Sequence, residues 1–181
     1  MGTSTPTLLS PIQVGTVEVR NRIVSTAHGA FTDFFDSRDS GDRYIAYQQR
    51  RAEGGCGMII LQAMHVHPTS AQAGIHPMPE ASDVRAKLSR LAAAVAPHGT
   101  ILVQQLFHFG ALGLSDESEH YLPRWSFSGT TTPEGEASHE MTSEEIEEVL
   151  DAFVAAAVLA VEAGLHGVEL HATHGYLMQQ S

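Results

Sequence analysis

Residues 142–177, TSEEIEEVLDAFVAAAVLAVEAGLHGVELHATHGYL, hold a helix, its stop, the strand that follows and the loop that leaves that strand. Thr142 and Glu145 make a T-x-x-E capping box, in which each side chain serves a backbone N–H left open by the first helical turn. Ile146, Val149, Leu150, Phe153, Val154, Ala157, Val158 and Val161 then recur at helical spacing as one apolar face. Gly164 ends the helix, and GVELH (167–171) reads as a strand. Alternate strand residues share a face, so Glu169 and His171 point one way and Val168 and Leu170 the other.

The same order of helix, glycine and apolar strand recurs upstream. GDRYIAYQQRRAEGG carries Tyr44, Tyr47 and Arg51 at helical spacing and stops at Gly54-Gly55. GMIILQAMHVH (57–67) is a buried strand ended by Pro68. Val84, Leu88, Leu91 and Val95 mark a helix stopped by Pro97 and Gly99, and TILVQQLFHFG (100–110) is the next strand. At the start, VGTVEVRNR (14–22) alternates around Gly15-Thr16 as a hairpin, and IVSTA (23–27) follows as a strand. Residues 111–141 form a long polar connection with little periodicity.

Strands alternating with helices require a parallel sheet with crossover helices. A doubly wound sheet and a (β/α)8 barrel both fit. Polar residues at every strand end favour the barrel, whose strands share one active face. A complete barrel takes about 250 residues, so 181 residues with strands at 23–27, 57–67, 100–108 and 167–171 make about half of one.

A formal net charge of −11 gives no broad attraction to nucleic acid or to an anionic membrane. The longest apolar run, AFVAAAVLAV, is too short to span a bilayer and is flanked by Asp151 and Glu162. Cys56 is the only cysteine, which excludes an internal disulfide and accords with a cytoplasmic location. No secretory leader pattern opens the chain.

The strand ends carry the chemistry. Glu169 would face the barrel interior, where a carboxylate needs a partner; Arg22, just before the first strand, is the expected one. His171 would stand at the rim, with His174 and Tyr176 on the loop beyond it. Two neutral imidazoles can hydrogen-bond one substrate oxygen, or they can bind a metal. Tyr176 can supply a proton. Gln105 and His108 end the third strand, and a glutamine amide suits the edge of a heteroaromatic ring. Ala63 would admit a flat ligand close to the backbone, and His65 and His67 form an H-x-H pair. No glycine-rich dinucleotide fingerprint or phosphate loop occurs.

Taken in order, LLSPIQVGTVEVRNRIV, RRAEGGCGMII, QLFHFG and the 142–177 stretch resemble the Old Yellow Enzyme family of FMN-dependent NADH:flavin oxidoreductases. The likeness is to the branch that includes 2,4-dienoyl-CoA reductase, 2-enoate reductase and trimethylamine dehydrogenase. It implies an FMN-binding TIM barrel of which residues 1–181 are the N-terminal part, strands 1–4, with the hairpin capping the floor. It further implies that Ala27, His28 and Ala63 line the flavin and that Gln105 meets its pyrimidine edge. His171 and His174 would hold the carbonyl oxygen of an enone, enoate or enoyl-thioester, with Phe31 beside the substrate. Hydride would pass from reduced flavin to the β-carbon, Tyr176 would be the proton donor, and NADH or NADPH would supply the electrons. An FAD or a 4Fe-4S cluster would lie in a further C-terminal part, since one cysteine cannot hold a four-thiolate cluster. A homo-oligomer is compatible with this reading.

The chain departs from the family at Ala27-His28, where Pro-Met is common, and at Gly29, where Cys or Thr often tunes the flavin. It departs again at Phe31, often Tyr, and at Ala111, usually Arg. Two other readings stand beside the reductase: a metal-dependent barrel hydrolase using His65, His67, His171 and His174, and a non-catalytic fragment.

Overall fold

A computed structural model describes residues 7–30, 34–35, 39–70, 82–113, 116, 121–133 and 135–181. Strands β1 (Ile12–Val14) and β2 (Val17–Val19) form an antiparallel hairpin. Gly15 takes the left-handed conformation at its turn, φ +58°. Four strands, β3 (Val24–Ser25), β4 (Met58–His65), β5 (Ile101–Phe107) and, after the short pair described below, β8 (Gly167–Leu170), make one parallel sheet in the order β3-β4-β5-β8. Helix α1 (Asp42–Glu53) crosses from β3 to β4, α2 (Ser82–Val95) from β4 to β5, and α3 (Ser143–Glu162) from β5 to β8. This is the expected alternation, and it forms part of an α/β barrel.

The two faces of the sheet differ. Ile59, Leu61, Leu102 and Leu106 are buried against Tyr44 and Ile45 of α1, Leu88 and Leu91 of α2, and Val149 and Phe153 of α3. On the inner face Met58, Ile60, Ile101, Val103, Gln105 and Glu169 are half-buried. Alternation along the strands sorts the two sets. Between Leu61 and Met64 the register of β4 against β5 shifts, a bulge that holds Gln62 and Ala63.

Helix α3 begins as its sequence requires. Glu145 N–H donates to Thr142 Oγ1 (3.2 Å), and Thr142 N–H donates to Glu145 Oε2 (2.7 Å). Its apolar face, however, splits in two. Val149, Phe153, Ala156, Leu159 and Ala160 are buried, whereas Leu150, Val154, Val158 and Val161 are 49%, 62%, 50% and 58% exposed. The helix is apolar around most of its circumference, and only one stripe packs on β5 and β8.

The hairpin's exit segment ties the N-terminal ends of the strands. Arg20 donates to the carbonyls of Ala52 and Cys56, and Asn21 Nδ2 donates to the carbonyl of Gly55 (2.8 Å). Gly57 is required there, because a Cβ would lie 2.5 Å from Asn21 Oδ1. The expected capping of the barrel floor is thus a set of hydrogen bonds. The polar connection also holds structure that its sequence did not announce: β6 (Trp125–Ser126) runs parallel to β7 (His139–Glu140). Ser126 and Ser138 stitch that pair, hydroxyl to hydroxyl, at 2.8 Å. After β8 comes a single helical turn, α4 (Leu177–Gln180). No helix among the described residues is long and apolar enough to cross a membrane.

Candidate functional site

The C-terminal ends of β3, β4, β5 and β8 lie side by side, because the sheet is parallel. Gln105 and Glu169 are register partners across β5 and β8, and Gln105 Nε2 donates to Glu169 Oε1 at 2.7 Å. Gln105 is therefore the partner of Glu169, and the assignment to Arg22 is corrected. Arg22 is exposed at the opposite end of the sheet, where its Nε reaches Ser10 Oγ at 3.4 Å. A single sequence does not state register, and register decides this contact.

His171 continues the ladder by one bond, its N–H donating to the Leu106 carbonyl (3.0 Å). It shares the inner face with Glu169 by alternation. Its Nε2 stands 3.2 Å from His174 Nδ1, with the two rings nearly perpendicular at 86°. Thr173 Oγ1 lies 3.2 Å from the other nitrogen, Nδ1. Burial holds the His171 imidazole below its ordinary pKa, and the neighbouring His174 adds to this while Glu169 opposes it. His171 is therefore neutral near pH 7. His174 adopts φ +60°, uncommon for a residue with a Cβ.

Tyr176 sits against the rings of Phe107 and Phe109, 5.4 Å from each, and 5.0 Å from His171. Its segment hangs from the loop after β5. Leu177 N–H donates to the His108 carbonyl (3.0 Å), Ala111 N–H donates to Gln180 Oε1 (3.0 Å), and Gln180 Nε2 donates to the Phe109 carbonyl (3.3 Å). The structure thus brings His171, His174 and Tyr176 together and sets them beside the end of β5 that carries Gln105.

Ala63 lies half-buried in the β4 bulge, opposite the Gln105 region. Ala27 and His28 follow β3; His28 Nδ1 donates to the Thr26 carbonyl (3.0 Å), and its Nε2 meets Tyr47 Oη at 2.5 Å. Phe31 lies outside the described residues.

His108 does not open on the mouth. It is buried, and desolvation, helped by His67 and Arg124, pushes its pKa down to about 3. Gly110 N–H donates to its Nδ1 (2.9 Å), which leaves the proton on Nε2 facing Thr69 Oγ1 at 3.0 Å. The Thr69 hydroxyl then donates to His67 Nδ1 (2.8 Å), and His67 Nε2 reaches Glu148 Oε1 of α3 (3.2 Å). Sequence reasoning passed over Thr69 and Glu148; the H-x-H-P-T run at the end of the strand was the available signal for Thr69.

This chain of bonds also removes the metal reading. His65 packs on Phe107 at 4.2 Å and bonds Ser70 Oγ at 3.1 Å, while His67 turns to Thr69, Glu148 and the Trp125 ring. Strand β4 ends at His65, so the H-x-H pair shares no strand face. Among the described residues no three His, Cys, Asp or Glu side chains gather as metal ligands.

Residues 7–181 match the sequence profile of the NADH:flavin oxidoreductase / NADH oxidase family. The chain is 34% identical over 185 residues to the N,N-dimethylglycine/sarcosine dehydrogenase of Chromohalobacter salexigens, covering 96% of this chain and 25% of that protein. It is 34% identical over 182 residues to the NADH oxidase of Thermoanaerobacter brockii, covering 97% of this chain and 27% of that one. The structure of morphinone reductase in complex with tetrahydroNAD superposes with a TM-score of 0.81 at 22% identity, over 96% of this chain and 51% of that chain. The fold is accordingly about half of the α/β barrel of such enzymes. The chain spans about a quarter of the length of the two relatives named.

Proposed function

The chain belongs to the NADH:flavin oxidoreductase / NADH oxidase family, and from that premise we propose that it forms the N-terminal part, residues 1–181, of an FMN-dependent reductase of activated alkenes. The observation that carries this reading is the convergence of His171 Nε2 and His174 Nδ1 to 3.2 Å, with Tyr176 beside them at one mouth. Two ring nitrogens that close together suit a single oxygen atom on which negative charge grows.

The residues present fit a flavin. Gln105 gives one N–H to Glu169 and keeps a second N–H and its carbonyl for a heteroaromatic edge. Ala63, small and half-buried in the bulge, leaves room for a flat ring, as does backbone at Ala27 and His28. When bound and reduced by NADH or NADPH, FMN would supply the hydride for the β-carbon of an enone, enoate or enoyl-thioester. His171 and His174 donate hydrogen bonds to the substrate carbonyl oxygen and take up its developing charge. The Tyr176 hydroxyl holds the proton for the α-carbon. Glu169 orients Gln105 through the 2.7 Å bond. An FAD or a 4Fe-4S centre would be held by sequence outside these residues, and a cytoplasmic location accords with the lone thiol, Cys56.

The test is spectroscopic and then catalytic. Purified protein should carry released and identifiable FMN, and under anaerobic conditions it should reduce 2-cyclohexenone at the expense of NADH or NADPH. A preparation that takes up FMN but leaves the enone intact refutes the alkene reaction. One that takes up no FMN refutes the cofactor.

A further inference from the structure

A neutral imidazole has one N–H and one lone pair. For His171 and His174 to hold the same oxygen, His171 must carry its proton on Nε2 and His174 on Nδ1, the two nitrogens that face each other at 3.2 Å. His171 Nδ1 is then a lone pair, and it needs a donor. Thr173 Oγ1 stands there at 3.2 Å, and a hydroxyl can donate or accept. We propose that Thr173 is a positioning residue whose hydroxyl donates to His171 Nδ1 and so fixes His171 as the Nε2–H tautomer.

The two imidazoles then have different duties. With the mouth empty, Thr173 donates to His171 Nδ1, and His171 Nε2–H donates to His174 Nδ1. When a substrate oxygen arrives, His171 already presents its proton. His174, exposed to water, moves its own proton from Nε2 to Nδ1. Thr173 suits the task because its branched Cβ restricts χ1 and holds the hydroxyl in place. Glu169 and Tyr176 also face His171, but neither is bonded to its Nδ1.

This inference rests on reading the pair as donors to one oxygen, yet its test needs neither flavin nor substrate. The full chain is labelled with ¹⁵N-histidine, and His171→Gln assigns the His171 signals among the 11 histidines. Above pH 8, wild type should show a protonated Nε2 and an unprotonated, hydrogen-bonded Nδ1. Thr173→Val, of nearly equal shape, should lower the Nε2–H to Nδ1–H ratio about 3- to 10-fold, the worth of one neutral hydrogen bond. Thr173→Ser should restore most of it, less completely because its χ1 is freer. A wild-type His171 protonated on Nδ1 overturns the proposal, as does a Thr173→Val spectrum identical to wild type. Either result leaves the flavin reading to stand or fall on its own test.

Discussion

The two ends of the sheet are built on different terms. At the N-terminal end, Arg20 and Asn21 bind backbone carbonyls, Gly57 admits the close approach, and the His166 imidazole serves the backbone too, its Nδ1 accepting from Leu102 N–H (3.1 Å). At the C-terminal end, histidines, a tyrosine and a left-handed His174 crowd into one place, and His108 is buried uncharged. The floor spends its polar groups on closing the chain on itself. The mouth holds polar groups facing one another and an open side. In a parallel α/β fold that division puts stability at one end and chemistry at the other.

The comparison breaks if a mouth residue proves merely structural, so the largest predicted effect is at Tyr176. Tyr176→Phe in the FMN-loaded enzyme should lower turnover of an enone by about 10²- to 10⁴-fold, the usual range for a lost general acid. Its midpoint in urea should move little, since the ring contacts with Phe107 and Phe109 remain. A turnover within a few-fold of wild type would remove the phenol from the reaction.

The next effect sharpens the contrast through pH. His108 has a folded-state pKa of about 3, below its ordinary 6.5, so below pH 6.5 the unfolded chain binds a proton that the folded chain refuses. Stability should therefore fall as pH drops from about 6.5 towards 3, by about 1.4 kcal/mol per pH unit. His108→Gln should flatten that slope in urea titrations compared at pH 7.5 and 4.5. An unchanged slope would mean that the buried His108 is not where acid acts.

Gly57→Ala tests the floor. The added Cβ would meet Asn21 Oδ1 at 2.5 Å and the Asn21 carbonyl at 2.8 Å. A loss of about 1–3 kcal/mol is expected from denaturant melts, with the His171 resonances unmoved. Smallest is Thr142→Ala, which removes the α3 cap, far from both ends in its chemistry. It should cost about 1 kcal/mol by the same measurement.

Much of this division could be read from residue order. The capping box, the glycine stop at Gly164 and the four apolar strands announced an alternating parallel fold because each depends on local chemistry. What stayed hidden depends on partners far away in the chain. The Gln105–Glu169 bond is set by inter-strand register, and Arg22 lost to it for that reason. The apolar residues of α3 surround the helix, so their spacing could not say that Val149 and Phe153 would be buried while Val154 stayed out. Strands of two residues, Trp125–Ser126 and His139–Glu140, are too short to show a period. Strand β4 stops at His65, so His67 leaves the face on which alternation alone had placed the two together.

Tyr176 owes its bearing to a neighbour. Its segment is suspended from the carbonyls and amides of residues 108–111, one βα unit away, through Leu177 and Gln180. Transplanting HATHGYL into another scaffold would carry over the phenol without the bracket that aims it. A useful graft has to include QLFHFGA and the Gln180 side chain as well, because the unit of inheritance here is two adjoining loops.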